Sequence, residues 1–512
     1  MAVRSRIVRG GRIPKGREIG EREKIGLEIN NFGPISGGKI TLKPLTIFIG
    51  PNNSGKSYAA MLIHSIFESY TPSALPRGVP PLFGRHILEM HEPKKFLSPE
   101  ELSSLKMQIR SLKDGEELEF PKIIVDKVTN KIFHELYEKR LSNEIIRSYA
   151  CPLDNLIRIG KKFFAIKISF NSYNVDLAYK KERLEMEKYP ELDVKIRLKV
   201  SKKVEVVEFK EEQEKEYLVQ LGKGLIEGES EILFFFLTDS IFDICASNLL
   251  ENLAMPCYYL PAARSGILQG HKALAASIVK KSPYVGIERL EIPKFSGVVS
   301  DFISSVITLP EDKGDFYPLA KEFEKELIKG EIVVRTLDEY LYPEIQYKFL
   351  GTEIPLHRAS STVSELAPLF LYLKYVVKPG SVLIIEEPEA HLHPENQRIL
   401  AKFLVKLIRN GVYIIITTHS EYLLEQLSSF IMLSKIEPKK RIEKYGYDEE
   451  DYLKIDEIAA YLFNYDRKSG GNKITEVKVT KEDGISQDEF SKIIETLYEE
   501  TIKLRRDLSG DT

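Results

Sequence analysis

One eight-residue segment constrains the fold of this chain more than any other feature. Residues 50–57 read Gly-Pro-Asn-Asn-Ser-Gly-Lys-Ser, which matches the pattern G-x-x-x-x-G-K-[ST]. The apolar run Leu45–Ile49 precedes it, and a segment with helical apolar spacing follows it. A strand, a glycine-rich turn and a helix in this order direct backbone N–H groups and the helix amino terminus at phosphate oxygens. The segment therefore predicts a nucleoside triphosphate site.

The side chains of this loop have distinct expected roles. Lys56 is expected to reach the β- and γ-phosphates, and Ser57 is expected to bind Mg²⁺. A loop that merely caps a helix would not require a lysine followed by a serine. ATP and Mg²⁺ are therefore the expected ligands. The predicted nucleotide-binding residues are Gly50, Asn52, Asn53, Ser54, Gly55, Lys56 and Ser57.

Two acids end a second apolar strand, Val382–Ile385. We predict that Glu386 holds the magnesium shell and that Glu387 polarises the attacking water, because phosphoryl transfer needs mainly positioning and charge neutralisation. The first acid in such a pair is usually aspartate. The division of labour between the two glutamates is therefore left open.

A histidine follows the next apolar strand, Val412–Ile416, in the run Thr417-Thr418-His419-Ser420. Successive buried strands of a parallel sheet end at the same edge. We therefore predict that His419 senses the γ-phosphate as a catalytic residue, in preference to a structural role.

A small, hydroxyl-rich segment, Ala359–Glu365, opens the helix before the Glu386 strand. A helix amino terminus of this kind is also an anion site. Ser360 and Ser361 are the candidate contacts, and Thr362 and Glu365 are predicted to form a capping box. A plain helix cap is the alternative interpretation.

The order of these motifs resembles the ABC-type P-loop ATPases of the SMC/RecF/OLD-like group. Asn31–Pro34, Tyr259–Ser265 and Glu386–Pro394 add to the resemblance, which covers about 25–70 and 255–508. It implies an α/β fold, a P-loop NTPase head with a mixed and parallel core sheet, and ATP hydrolysis. It also implies a homodimer in which Ser360 and Ser361 of one chain meet the γ-phosphate held by Lys56 of the other. The chain lacks both glycines of the Leu-Ser-Gly-Gly signature and has Ala359-Ser360-Ser361-Thr362 in its place.

Weaker candidates accompany the resemblance. The segment Glu389–His393 falls at the D-loop position, although His391 and His393 are also considered as metal ligands. Gln269 is the candidate Q-loop glutamine. Arg264 is expected to contact either a phosphate or partner, or a carboxylate of the core.

The chain divides into four predicted segments. They are a flexible basic tail 1–24, the amino-terminal ATPase part 25–70, an inserted helical and β-meander lobe 71–253, and the carboxy-terminal ATPase part 254–512. Apolar and polar residues alternate over 163–218, which predicts an antiparallel meander with one solvent-exposed face.

Composition limits the remaining functions. Lys and Arg total 74 against 76 Asp and Glu, which excludes a uniformly basic surface. Three cysteines without C-x-x-C spacing exclude a disulfide framework or zinc ribbon. We expect no membrane segment, no signal peptide, no long coiled coil and no Toprim nuclease module. Absent tryptophan with abundant Lys and Glu suggests a thermophile, and the expected compartment is the cytoplasm.

The sequence favours an ATP-driven dimerising switch in a DNA-related or defence and repair process. Its expected partners are a separate effector protein, such as a nuclease, and DNA. An ATP-sensing regulatory scaffold for a protein effector is the alternative, and a transporter nucleotide-binding subunit ranks third.

Overall fold

The structure is a computed structural model, and its contacts divide the chain into two compact units. The first comprises residues 1–28, 65–147 and 151–256, and the second comprises residues 29–64, 148–150 and 257–512. The structure describes residues 24–70, 98–201, 204, 207–213, 215–223, 255–270, 295–336 and 343–509, with isolated positions between 226 and 253. The predicted basic tail therefore lies outside the described residues, except for Lys24.

Both units contain helices and strands. In chain order the strands are β1 Gly26–Phe32, β2 Ile35–Thr41, β3 Leu45–Ile49, β4 Glu117–Glu119, β5 Phe164–Ser169, β6 Asn174–Lys180, β7 Arg183–Met186, β8 Lys195–Ser201, β9 Val207–Gln213, β10 Glu216–Gly222, β11 Cys257–Leu260, β12 Glu331–Thr336, β13 Pro343–Phe349, β14 Thr352–Pro355, β15 Val382–Glu386, β16 Tyr413–Thr418, β17 Ile458–Asp466, β18 Gly471–Val477, β19 Val479–Thr480 and β20 Gly484–Ile485. The labelled α-helices are α1 Lys56–Glu68, α2 Pro99–Ser111, α3 Lys122–Phe133, α4 Leu141–Tyr149, α5 Gly297–Ile307, α6 Tyr317–Leu327, α7 Ser361–Tyr375, α8 Pro394–Arg409, α9 Glu421–Leu433, α10 Pro438–Tyr445 and α11 Asp488–Ser509.

A mixed sheet forms the centre of the second unit. The part of the sheet that runs from β11 to β1 has the strand order β11, β15, β16, β3, β17, β18, β2 and β1. The run from β11 to β17 is parallel, whereas β17 and β18 pair antiparallel. Strands β3 and β15 are buried along their whole length, as continuous apolar runs in a parallel sheet require. The predicted α/β fold class with a mixed and parallel core sheet is confirmed.

One face of this sheet packs on three helices. Leu45, Ile47, Leu383, Ile385 and Ile414 belong to the same buried cluster as the apolar residues of α7, α8 and α9. The carboxyl ends of parallel strands lie at one edge of a sheet, so the residues that follow β3, β15 and β16 lie close together at that edge.

The strands of the first unit differ from the predicted antiparallel meander. Strands β5, β6 and β7 pair antiparallel, as the alternation predicts. However, β8 belongs to another sheet, ordered β4, β8, β10 and β9, and it pairs with β10 in parallel. The prediction of one continuous meander was therefore wrong, because alternation indicates which face of a strand is buried but not which strand lies beside it.

Among the helices of the described residues, none is both long and apolar enough to cross a bilayer.

Candidate active site

The glycine-rich loop joins β3 to α1, and both of its glycines have a positive φ and a close neighbour. Gly50 has a φ of 143°, and a Cβ added there would lie 2.2 Å from the carbonyl oxygen of Phe463. Gly55 has a φ of 104°, and a Cβ there would lie 2.8 Å from Cγ1 of Ile35. Larger residues would push the loop away from the neighbouring strands, so both positions are restricted to glycine.

Lys56 begins α1 and is only 5% exposed. Its Nζ donates to the carbonyl oxygens of Gly50 at 2.8 Å and Pro51 at 2.9 Å. Burial lowers the pKa of Lys56 to about 8, although the charges of Glu387, Glu386 and Glu389 act in the opposite direction. The ammonium group therefore hydrogen-bonds to its own loop and lies close enough to three carboxylates for their charges to raise its pKa.

The remaining loop residues differ in their exposure. Ser54 is buried, and its Oγ has no hydrogen-bond partner among the described residues. Asn52, Asn53 and Ser57 are exposed. Asn53 has a left-handed φ of 61°, and its carbonyl oxygen accepts from Nδ2 of Asn472 at 3.3 Å. The Ser57 hydroxyl is thus accessible at the start of α1, where a metal ligand was predicted.

Glu386 is the last residue of β15 and is 8% exposed. Its Oε2 accepts the backbone N–H of Ala262 at 3.1 Å, whereas its buried Oε1 has no hydrogen-bond partner among the described residues. The neighbouring Tyr259 is also buried, and burial followed by the charge of Glu386 raises its pKa well above the usual range. The carboxylate is therefore held by a backbone N–H on one oxygen and lies beside the Tyr259 side chain.

Glu387 adopts a left-handed conformation with a φ of 43°. Its backbone N–H donates to the carbonyl oxygen of Thr417 at 2.9 Å, which ties the end of β15 to β16. Its side chain is 41% exposed, and its Oε1 lies 3.8 Å from Nε2 of His419. Strained backbone of this kind is concentrated at functional sites. The carboxylate faces solvent and the histidine, as a group that orients water should.

His419 follows β16 and is half-buried. Burial, followed by the positive charge of Lys56, lowers its pKa below 6.5, while Glu387 acts in the opposite direction. The imidazole is therefore neutral at pH 7. A neutral imidazole has one donor and one acceptor nitrogen, so it can bond both to water and to a phosphate oxygen.

Glu389 supports His419 in a way that the sequence did not reveal. Its Oε1 accepts from the Thr418 hydroxyl at 2.6 Å and from the His419 backbone N–H at 2.9 Å. Burial raises the pKa of this carboxyl above its ordinary value. The segment after β15 and the segment after β16 are therefore linked through this one side chain.

Arg264 is 1% exposed and belongs to the core. Its guanidinium donates to the carbonyl oxygens of Glu386 at 2.6 Å and Glu387 at 3.2 Å, and its Nε lies 3.4 Å from Oε1 of Glu365. Of the two predicted roles for Arg264, the structure shows the core ion pair. The arginine holds the backbone of the acid pair at a fixed distance from helix α7.

The start of α7 differs from its predicted cap. Ser360 is the N-cap, and its Oγ accepts the backbone N–H of Val363 at 3.4 Å. Thr362 and Glu365 do not form a capping box: the Thr362 hydroxyl donates to the carbonyl oxygen of His391, and the Glu365 carboxylate turns to the buried arginine. A buried arginine needs a counter-charge more than the helix end needs a second cap. Ser360 and Ser361 are both exposed at the helix amino terminus.

The structure also places the remaining candidates, His391, His393 and Gln269. His393 caps α8, with its Nδ1 accepting the backbone N–H of Glu395 at 3.4 Å. Within the described ranges, no converging set of three potential metal ligands includes His391 or His393. Gln269 is exposed on a helical segment, 264–270.

Comparison with known proteins gives a family and a set of similar folds. The AAA ATPase domain family matches residues 25–424. No curated protein matches the sequence. One similar solved structure is the SMC head domain from Thermotoga maritima, which is 12% identical with a TM-score of 0.33 over 90% of this chain and 100% of that chain. Another is an Smc head domain with an extended coiled coil bound to the C-terminal domain of ScpA, derived from Pyrococcus furiosus, which is 11% identical with a TM-score of 0.38 over 93% and 99%.

Proposed function

This chain belongs to the AAA ATPase domain family and is an ATPase, and from that premise we propose that ATP joins two copies of it into a dimer that acts on a partner. Residues 25–70 and 254–512 form the ATPase core of this proposal, and 71–253 form the lever that carries its motion. The three cysteines are free thiols, which suits a reducing compartment, so we place the protein in the cytoplasm.

The observation that carries the proposal is the convergence of three motifs around Lys56. The charges of Glu386, Glu387 and Glu389 all act on its ammonium group, and Lys56 in turn acts on His419. These residues come from the ends of three adjacent parallel strands, β3, β15 and β16. A cation, an acid pair and a neutral histidine at one sheet edge suit phosphoryl transfer to water.

Mg²⁺ fits the oxygen atoms at this edge. The unpartnered Glu386 Oε1 and the exposed Ser57 hydroxyl are hard oxygen ligands of the kind that Mg²⁺ prefers. When bound, the ion would neutralise charge on the β- and γ-phosphates. We therefore assign Ser57 and Glu386 to the metal.

The other residues of the site bind the phosphates or orient the attacking water. Lys56 leaves the carbonyl oxygens of its own loop and donates to the phosphates, while the backbone N–H groups of Asn52–Gly55 surround them. Glu387 holds the attacking water from its exposed carboxylate. His419, fixed by Glu389, donates a proton to the γ-phosphate or accepts one from the water.

A second chain would complete the site at α7. Ser360 and Ser361 are exposed at this helix amino terminus, where the Ser360 side chain accepts the backbone N–H of Val363. A helix amino terminus attracts phosphate through its free N–H groups and its dipole. We propose that this end of α7 meets the γ-phosphate bound by Lys56 of the other copy.

Paired glutamate variants test the proposed roles. Glu387→Gln should bind ATP normally, lose turnover by on the order of 100-fold or more and accumulate a dimer with ATP. Glu386→Gln should instead raise the Mg²⁺ concentration needed for half-maximal turnover. Light scattering and phosphate release measure the two effects. A parental rate in Glu387→Gln would show that the catalytic acid is misassigned.

DNA is the proposed ligand of the switch, although the basic side chains of strand β8 in the lever are paired with carboxylates. On β8, Lys195 lies 3.2 Å from Glu216, and both Arg197 and Lys199 pair with Glu117. The direct contribution to DNA binding is therefore assigned to the basic residues of the amino-terminal tail: Arg4, Arg6, Arg9, Arg12, Lys15 and Arg17.

Fluorescence anisotropy with Glu387→Gln, with and without ATP, tests this assignment. Duplex and single-stranded DNA should bind more weakly as salt rises, and alanine at these five tail arginines should reduce both the affinity and the salt dependence. Absence of binding in every state would favour the alternative function, an ATP-sensing scaffold for a protein effector such as a nuclease.

A further inference from the structure

The carboxy-terminal helix α11 carries an apolar row that the described part of the chain leaves uncovered. Leu497 and Leu504 are each 57% exposed, and Leu508 is 88% exposed. Between residues 495 and 505, every side chain is exposed except Ile502, which is half-buried. A helix of a globular protein normally buries its apolar stripe, so this one needs a partner.

The spacing of the row is that of a coiled coil. Leu497, Thr501, Leu504 and Leu508 follow one another at steps of four, three and four residues. These steps place Leu497 and Leu504 at d positions of a heptad, and Thr501 and Leu508 at a positions. In the sequence, Phe490 and Ile494 continue the same steps toward the amino terminus. Nearly three heptads are therefore present, far fewer than in a long coiled coil.

The charges beside the row select one kind of partner. In this register Glu500 occupies a g position and Arg505 the following e position, and both side chains are exposed. In a parallel two-stranded coiled coil, a g residue faces the e residue that lies five positions later in the other helix. Two identical chains would thus form two Glu500–Arg505 pairs, one on each side of the seam. An antiparallel pair would set g against g and e against e.

We propose that α11 forms a parallel two-stranded coiled coil with α11 of a second copy of this chain, without any need for ATP. Such a coiled coil has a two-fold axis, which is the symmetry that the proposed ATP-bound dimer also requires. The link would keep two chains together between catalytic cycles and raise the local concentration of one ATP site for the other. This consequence rests on the proposed function, whereas the coiled coil itself does not.

Charge reversal tests the pairing in protein that cannot use ATP for dimerisation. In a Lys56→Ala background without nucleotide, sedimentation equilibrium should show a dimer. Glu500→Arg and Arg505→Glu should each weaken it by about tenfold, because attraction becomes repulsion in both pairs. The double variant E500R/R505E should recover the parental dissociation constant. Glu499→Arg makes the same charge change at an f position, away from the seam, and should have no effect.

Cysteine crosslinking tests the orientation. Identical d positions face each other only in a parallel pair, so Leu504→Cys should give a covalent dimer on mild oxidation, whereas Glu499→Cys should not. A nucleotide-free monomer at micromolar concentrations would overturn the proposal and leave α11 to another partner or another part of the chain. Equal dimerisation of E500R and parent, or no recovery in the double variant, would also overturn it. Dimerisation that depends on both ATP and Lys56 would contradict the coiled coil while supporting the proposed function.

Discussion

Glu389 accepts the backbone N–H of His419 at 2.9 Å, through the same carboxylate oxygen that accepts the Thr418 hydroxyl. The two residues lie beyond the ends of neighbouring strands, β15 and β16. A shift of the segment after Glu387 would therefore shift the histidine as well. Glu389 is a positioning residue in this account, because it acts on the reaction through His419.

The effect of replacing Glu389 on stability and turnover should depend on whether the new side chain can still accept the hydrogen bonds from Thr418 and His419. Glu389→Ala leaves the Thr418 hydroxyl and the His419 backbone N–H without this acceptor. The free energy of unfolding should therefore fall by about 2–4 kcal/mol, and turnover should fall with it. Glu389→Gln keeps an amide oxygen as acceptor and should remain within about 1 kcal/mol of the parent. Urea unfolding and phosphate release measure both effects. The account is wrong if the two variants behave alike.

The affinity for ATP should depend on pH through Lys56. Its pKa of about 8 in the nucleotide-free protein means that the ammonium is charged below pH 8 and loses its proton above it. The dissociation constant for ATP should therefore rise as pH increases from 8 to 10. Titrations of a fluorescent ATP analogue across this range measure the change.

Two variants at lysines serve as controls for this titration. Lys56→Arg retains its charge at every pH in the range, so its affinity should not vary with pH even if it is lower overall. Lys378→Ala removes an exposed lysine and should keep the parental profile. A parental profile in Lys56→Arg would assign the pH dependence to another group.

Arg264 and Glu365 should behave as a coupled buried pair. Arg264→Met or Glu365→Met alone leaves one uncompensated charge and should cost about 3–5 kcal/mol, whereas the double variant should cost clearly less than the sum. Turnover should stay low in the double variant, because the carbonyl oxygens of Glu386 and Glu387 still lack their donor. Arg335→Ala breaks an exposed pair with Glu353 and should not change stability measurably. Additive losses in the double variant would exclude the coupling.

The sequence predicts the parts of this molecule whose signals are local. The run from Leu45 to Ser57 contains its own strand, turn and helix signals, and the acids after β15 and the histidine after β16 follow equally plain buried strands. The exposed amino terminus of α7 was also predicted, although its cap was assigned to Thr362 instead of Ser360.

The contacts that the sequence could not supply join residues that are far apart in the chain. Glu389 and His419 are separated by 30 positions, and Arg264 and Glu386 by 122. Nothing near Glu365 indicates that it faces an arginine from another segment. The parallel pairing of β8 with β10 was missed for the same reason, since alternation carries no information about the neighbouring strand.

Complementation between two inactive variants tests the composite ATP site most directly. Lys56→Ala disables the site on its own chain, and Ser360→Arg blocks the site on the opposite chain. A mixed dimer of the two retains one intact composite site, so an equimolar mixture should recover about one quarter of parental turnover. Mixing Lys56→Ala with Glu387→Gln is the matched control and should recover none, because both residues act on the nucleotide bound by their own chain. Phosphate release at about one quarter of the parental rate in the first mixture alone is the predicted result. No recovery in that mixture, or equal recovery in both, would contradict a site shared between two chains.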